Sequence, residues 1–151
     1  LPEEDAVYYD VSWCMNVGEK IDPEYEKWFQ IVYDARGDAR QFIQARLDAG
    51  EKVRGYEVDR RLKERFEQLG CAQYLMHRTG HNIGHRCHGI GANLDDYETH
   101  DDRCLLPGTM FSIEPGLYTD KYGVRLEYDV HITSEGETKV YGPVQDEILV
   151  I

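Results

Sequence analysis

His81, Glu114 and Glu127 are the residues from which chemistry in this sequence would start. Four of the six histidines, His77, His81, His85 and His88, fall within twelve positions, in and just after His77-Arg78-Thr79-Gly80-His81-Asn82-Ile83-Gly84. Imidazole titrates near neutrality and ligates metals through either ring nitrogen, although this spacing alone suits a solvated loop equally well. The His-Glu-x-x-His pattern of a zinc-binding helix is absent, and the interspersed glycines point to ligands on strands or turns with close backbone approach. Glu114 follows Phe111 and Ile113 and precedes Pro115-Gly116, and Glu127 lies in Val124-Arg125-Leu126-Glu127-Tyr128-Asp129-Val130. A strand glutamate more commonly faces solvent, where Arg125 and Glu127 would form a surface pair worth little. Alternation places Ser112 and Glu114 on one face. A carboxylate among apolar neighbours is costly unless it is paired or bound to metal. Our reading is that His81, Glu114 and Glu127 hold metal and that His88 handles a proton.

The elements that must position these residues follow from the pattern on either side. A length of 151 residues suits one domain with a real core, and 41% hydrophobic with 30% charged residues is ordinary for a globular chain. A net charge of -12 argues against a nucleic-acid footprint, which needs a basic patch. No stretch has the apolar length of a membrane span. Cys14, Cys71, Cys87 and Cys104 are scattered without a Cys-x-x-Cys pair and read as the free thiols of a cytoplasmic protein. Residues 1–5 read as an acidic turn, and 6–15, rich in β-branched and aromatic residues, as a buried strand. A buried strand so near the first residue leads us to expect part of the domain upstream. Asp22-Pro23 caps a helix that keeps apolar period through Trp28, Ile31, Val32, Ala35, Ala39, Phe42, Ile43 and Leu47 to a stop at Gly50. A shorter helix is predicted over 57–69, with Val58, Leu62, Phe66 and Leu69 on one face and Gly70 as its stop. From Ala72 onward glycines divide the chain into short runs, with strands predicted at 109–114, 124–133, 138–141 and 147–151. Helices first and strands after favour an α+β domain, with helices packed on a mostly antiparallel, curved sheet.

Taken together, the motifs carry a resemblance. His-x-x-Gly-His-x-Ile-Gly over 77–84, His88 seven positions after His81, Pro-Gly-x-x-Phe-Ser-Ile-Glu-Pro-Gly-x-Tyr over 107–118 and Gly-Val-Arg-x-Glu over 123–127 are similar to the pita-bread metallopeptidases. That family includes aminopeptidase P, prolidase and methionine aminopeptidase. Asp10-Val11-Ser12-Trp13 resembles the ligand segment ahead of the family's long helix. The resemblance implies that Asp10, His81, Glu114 and Glu127 ligate two divalent ions, with Glu127 bridging them. His88 matches a histidine that meets substrate and the tetrahedral intermediate, His77 a substrate-side histidine, and Arg125 a substrate-binding position. Oxygen-rich ligation with one imidazole suits Mn²⁺ and tolerates Co²⁺, Fe²⁺ or Zn²⁺. The implied activity is hydrolysis of an amide bond near the N-terminus of a short peptide, of the Xaa-Pro aminopeptidase or dipeptidase type, by a hydroxide held between the ions. A homodimer is expected from the family.

Departures from the family pattern define the alternatives. The family has a second aspartate ahead of the one matched by Asp10, and counting back to its place passes Leu1. An incomplete catalytic domain follows as an expectation, and a non-catalytic pita-bread module that binds peptide or protein is the competing reading. A creatinase-like C–N hydrolase is the third. Gly89-Ile90-Gly91 stands where the peptidases carry Glu and then Pro, and Trp13 where Arg is common. These changes bear on specificity for proline more than on the metal ligands. Asp95, Asp96, Glu98, Asp101 and Asp102 read as a solvated acidic loop.

Overall fold

A computed structural model describes Glu3 and residues 6–151, so the acidic turn expected over 1–5 lies, Glu3 apart, outside the described residues. The first helix, α1, runs Pro23–Asp48. The Asp22 carboxylate accepts the Glu24 N–H at 2.8 Å, satisfying a donor that the first turn leaves unpaired, and Pro23 occupies a position where a missing N–H costs nothing. Gly50, at φ +70°, turns the chain away just beyond the C-cap. Its buried stripe comprises Tyr25, Phe29, Val32, Ala35, Arg36, Ala39 and Ile43, whereas Trp28, Ile31, Phe42 and Leu47 flank it half-buried. Helix α2, Gly55–Gln68, buries Val58, Leu62 and Phe66. Leu69, expected on the same face, is half-exposed because it stands at the C-cap, where the helical period ends.

The strands are short. They are β1 (Met15–Asn16), β2 (Asn82–Ile83), β3 (Met110–Ile113), β4 (Gly116–Tyr118), β5 (Gly123–Arg125), β6 (Tyr128–Ile132), β7 (Thr138–Val140) and β8 (Leu149–Val150). An antiparallel sheet in the order β2-β3-β6-β7 is accompanied by an antiparallel β4-β5 pair and a parallel β1-β8 pair. The predicted run 124–133 is therefore two strands in two sheets. The break falls at Leu126-Glu127, where the Glu127 N–H turns from any sheet partner to the Ser12 carbonyl at 3.1 Å. Helices α1 and α2 close over the sheets through one apolar cluster that includes Val32, Ile43, Leu62, Phe66, Phe111, Ile113 and Leu126. This is an α+β arrangement. No described helix is long and apolar enough to cross a membrane.

Residues 6–15 do not form the buried strand their composition suggested. Only Met15 enters a strand, and Val7, Tyr8, Tyr9, Val11 and Trp13 are all substantially exposed. The backbone is satisfied without a ladder. Tyr8 N–H donates to the Gly84 carbonyl at 3.0 Å, Asp10 N–H to Asp129 Oδ2 at 2.8 Å and Cys14 N–H to Gln145 Oε1 at 2.7 Å. Side chains and loop carbonyls thus do what a neighbouring strand would have done. The acidic loop is also corrected. Asp95 and Asp101 are buried, Asp95 accepting the N–H groups of Tyr97, Glu98 and Thr99, and Asp101 those of Asn93 and Arg103. Their charge serves turn geometry, which composition alone does not reveal. All four cysteines are free thiols.

Candidate metal centre

The edge of the four-stranded sheet delivers the site. His81 immediately precedes β2 and Glu114 immediately follows β3, which pairs with β2 through Asn82 opposite Phe111. Ser112 of β3 ties the two together: its Oγ accepts the His81 N–H at 3.0 Å and donates to Glu114 Oε1 at 3.3 Å. Glu127 comes from the break between β5 and β6 and is buried. Asp10 arrives on the extended N-terminal segment, its N–H held by Asp129.

Four sequence-identified residues meet here. Ligand atoms of Asp10, His81 and Glu127 lie within 4.8 Å of one another, and His81 Nε2 is 3.5 Å from Asp10 Oδ2 and 3.3 Å from Glu114 Oε1. The imidazole is oriented by its other nitrogen, Nδ1, which lies 3.3 Å from the Asn82 carbonyl. An Nδ1–H donated there leaves the Nε2 lone pair facing the carboxylates, as a ligating histidine requires. Burial holds His81 below the ordinary histidine range, which favours the neutral ring that a ligand needs.

The carboxylates crowd one another at this point. Burial, then repulsion from Glu127, pushes Glu114 up to about 7. Glu127 is raised by burial despite the Ser12 hydroxyl, which donates to its Oε2 at 2.7 Å. Asp129, which lies opposite Ser112 in the β3-β6 register, is pushed up to about 7, first by burial and then by Glu127 and Asp10. Its Oδ1 is buried without a hydrogen-bond partner among the described residues. Carboxylates crowded beside a neutral imidazole, with an orphaned oxygen at hand, suit divalent ions.

The remaining predicted residues surround this cluster. The His88 ring lies 4.3 Å from that of His81, edge to face, and His88 is exposed. His85 is exposed and lies outside the cluster. His77 is outside the cluster of ligand atoms, with Nδ1 2.7 Å from the Arg78 carbonyl and Nε2 2.8 Å from the Tyr118 hydroxyl. Burial lowers its pKa as well. Arg125 does not pair with Glu127. Its Nε donates to Ser12 Oγ at 3.1 Å, and its Nη1 lies 3.9 Å from Glu114 Oε2. Together with Ser12, Trp13, Cys14, Tyr118 and Gly123 it lines an open cleft of about 390 Å³, large enough for a small ligand.

Sequence reasoning missed Asp129, Ser12 and Ser112 as supports of these residues. Asp129 was within reach, because two-residue alternation from Glu127 would have put it on the same side. Ser112→Ala should remove the hydroxyl that serves both the His81 N–H and Glu114, at a cost of about 1–3 kcal/mol in denaturant unfolding. Metal affinity should fall in the same variant, since a support of the ligands is lost.

The model of Metallopeptidase family M24 matches residues 3–134. The chain is 36% identical over 90 residues to the probable dipeptidase PepE of Mycobacterium tuberculosis, covering 58% of this chain and 23% of that protein. The crystal structure of dipeptidase PepE from Mycobacterium ulcerans superposes with a TM-score of 0.80 at 26% identity, over 97% of this chain and 37% of that one. The Xaa-Pro dipeptidase from Bacillus anthracis gives 0.79 at 28% identity, over 95% of this chain and 38% of that one. The chain thus spans well under half the length of these relatives, and its fold is the pita-bread fold of the prolidases. Since the match takes in Asp10, His81, Glu114 and Glu127 along with nearly all of the fold that gathers them, this chain belongs to metallopeptidase family M24.

Proposed function

We propose that the protein is a dinuclear, divalent-metal-dependent peptidase that hydrolyses an amide bond near the N-terminus of a short peptide, of the Xaa-Pro aminopeptidase or dipeptidase type. The observation that carries this reading is the convergence of Asp10, His81 and Glu127 within 4.8 Å, with Glu114 3.3 Å from His81. Asp10, His81, Glu114 and Glu127 would hold the metal, and a donor set with three carboxylates and one imidazole favours Mn²⁺ over softer ions. When bound, divalent ions supply Lewis acidity, which polarises a peptide carbonyl and makes water acidic near neutral pH.

The chain's own residues do the rest. Ser12 and Ser112 fix the Glu127 and Glu114 carboxylates, and Asp129 fixes the backbone that presents Asp10. His88, exposed beside His81, is placed to stabilise developing negative charge or to pass a proton to the leaving nitrogen. His77, Tyr118 and Arg125 border the substrate side, where the guanidinium offers donors to a peptide carbonyl or carboxylate. The proline preference rests on the Xaa-Pro dipeptidase among the relatives. A catalytic domain completed by a further aspartate ahead of Asp10, a homodimeric assembly and a cytoplasmic location belong to the same proposal.

Metal content by elemental analysis, after incubation with Mn²⁺ and mild dialysis of a chain extended upstream of Leu1, tests the reading. About two ions per chain and turnover of Xaa-Pro peptides are expected. No bound metal would replace it with a non-catalytic binding module. Turnover that survives thorough chelation would move it to a creatinase-like C–N hydrolase.

A further inference from the structure

The proposed reaction leaves Cys87 without a role, yet the thiol stands inside the centre. Its Sγ is 2.9 Å from Asp10 Oδ2. Ligand atoms of His81, Cys87 and His88 lie within 4.8 Å of one another, so His81 belongs to two donor groups, one with Asp10 and Glu127 and one with Cys87 and His88. The placement is not that of a loose loop. Asn82 holds the segment at two points, its carbonyl accepting the Gly89 N–H at 2.7 Å and its Oδ1 the Gly91 N–H at 3.0 Å, and is itself anchored to β3 by Nδ2 donating to the Met110 carbonyl at 2.9 Å.

The two groups differ in softness. Carboxylates with one imidazole suit Mn²⁺, whereas thiolate with two imidazoles suits Zn²⁺. Zinc takes sulfur at about 2.3 Å and nitrogen at about 2.0–2.1 Å, which separates tetrahedral donors by roughly 3.3–3.8 Å. The exposed His88 has the freedom to close that distance. Asp10 Oδ2, within reach of both Cys87 and His81, is the natural fourth donor.

We propose that His81, Cys87 and His88 form an alternative binding mode for Zn²⁺, exclusive of the oxygen-rich mode because the two share His81. Occupation of this mode engages the thiol and withdraws His88 from proton transfer. The inference rests on the metallopeptidase reading for its consequence, but it is tested by ligation alone.

Cobalt, a spectroscopic stand-in for zinc, is added to the metal-free protein and to its Cys87→Ser and His88→Ala variants. The unaltered protein should show a near-ultraviolet thiolate-to-cobalt charge-transfer band, and Cys87→Ser should lose it while keeping the visible cobalt bands of the oxygen-rich mode. Zn²⁺ affinity, measured by competition with a chromophoric chelator, should fall about 10-fold or more in both variants, since losing a direct ligand costs at least what losing an outer-shell partner does. Mn²⁺ affinity should fall far less than Zn²⁺ affinity in Cys87→Ser, whose hydroxyl can still donate to Asp10 Oδ2. Visible cobalt bands without the sulfur band would overturn the inference and leave the metallopeptidase reading standing. A sulfur band that survives Cys87→Ser, or equal zinc affinity in the variants, would also overturn it. No binding of cobalt or manganese would overturn both.

Discussion

Glu127→Gln is expected to abolish metal binding and turnover while the protein stays folded. Glu127 is buried at the break between β5 and β6, its N–H bonded to the Ser12 carbonyl and its Oε2 accepting from the Ser12 hydroxyl. Glutamine keeps the shape and can still accept from Ser12, so the backbone break and the packing of Leu126 and Tyr128 should survive. It removes the charge, and with it one anionic ligand from a cluster whose other members already repel one another. Activity on Xaa-Pro peptides with Mn²⁺ present should fall by more than the roughly 10²- to 10³-fold that loss of a single oxyanion donor costs an enzyme. Elemental analysis should show the metal lost in parallel, and circular dichroism should match the unaltered protein. Turnover left intact would remove Glu127 from the centre and take the dinuclear reading with it.

Gly80→Ala is expected to be the single-carbon change that most directly disrupts the candidate centre. A Cβ at Gly80 would lie 2.0 Å from the Ser112 carbonyl oxygen and 2.9 Å from its carbonyl carbon. Neither side can yield cheaply. Gly80 exchanges hydrogen bonds with Leu94 on one flank, and Thr79 and His81 bond to the β3 segment at Glu114 and Ser112 on the other. Separating these backbones to admit a methyl group breaks bonds that are buried and also moves His81 away from Glu114. The loss of stability should exceed the roughly 1–3 kcal/mol typical of overpacking, and metal should not bind. Gly37→Ala is the matching control. That position is inside α1 with nothing within 4 Å of an added Cβ, so the change should stabilise the helix by about 0.5–1 kcal/mol. Denaturant unfolding of the two variants side by side measures both effects. A well-folded Gly80→Ala protein with normal metal content would show that the close approach at Ser112 is not needed.

The sequence by itself determined those parts of the molecule whose physics is local. Asp22, Pro23 and Gly50 mark the ends of α1 because capping and left-handed turns depend on a few adjacent residues. The order of His77, His81, His88, Glu114 and Glu127 was legible because residue types and the glycines around them stand in short, local motifs. Only the tertiary structure decided matters that depend on what lies alongside in space. The apolar run over 6–15 has strand composition, but its N–H groups find Gly84, Asp129 and Gln145 rather than a ladder, and its large side chains stay exposed. The run over 124–133 splits because Ser12, more than a hundred residues earlier, takes the Glu127 N–H. Asp129 joins the site by lying across from Ser112, and Cys87 joins it by meeting Asp10, neither of which a linear pattern encodes. A hydrogen bond or a repulsion between distant segments is set by the register of the sheet, and register is a property of the assembled core rather than of any one stretch.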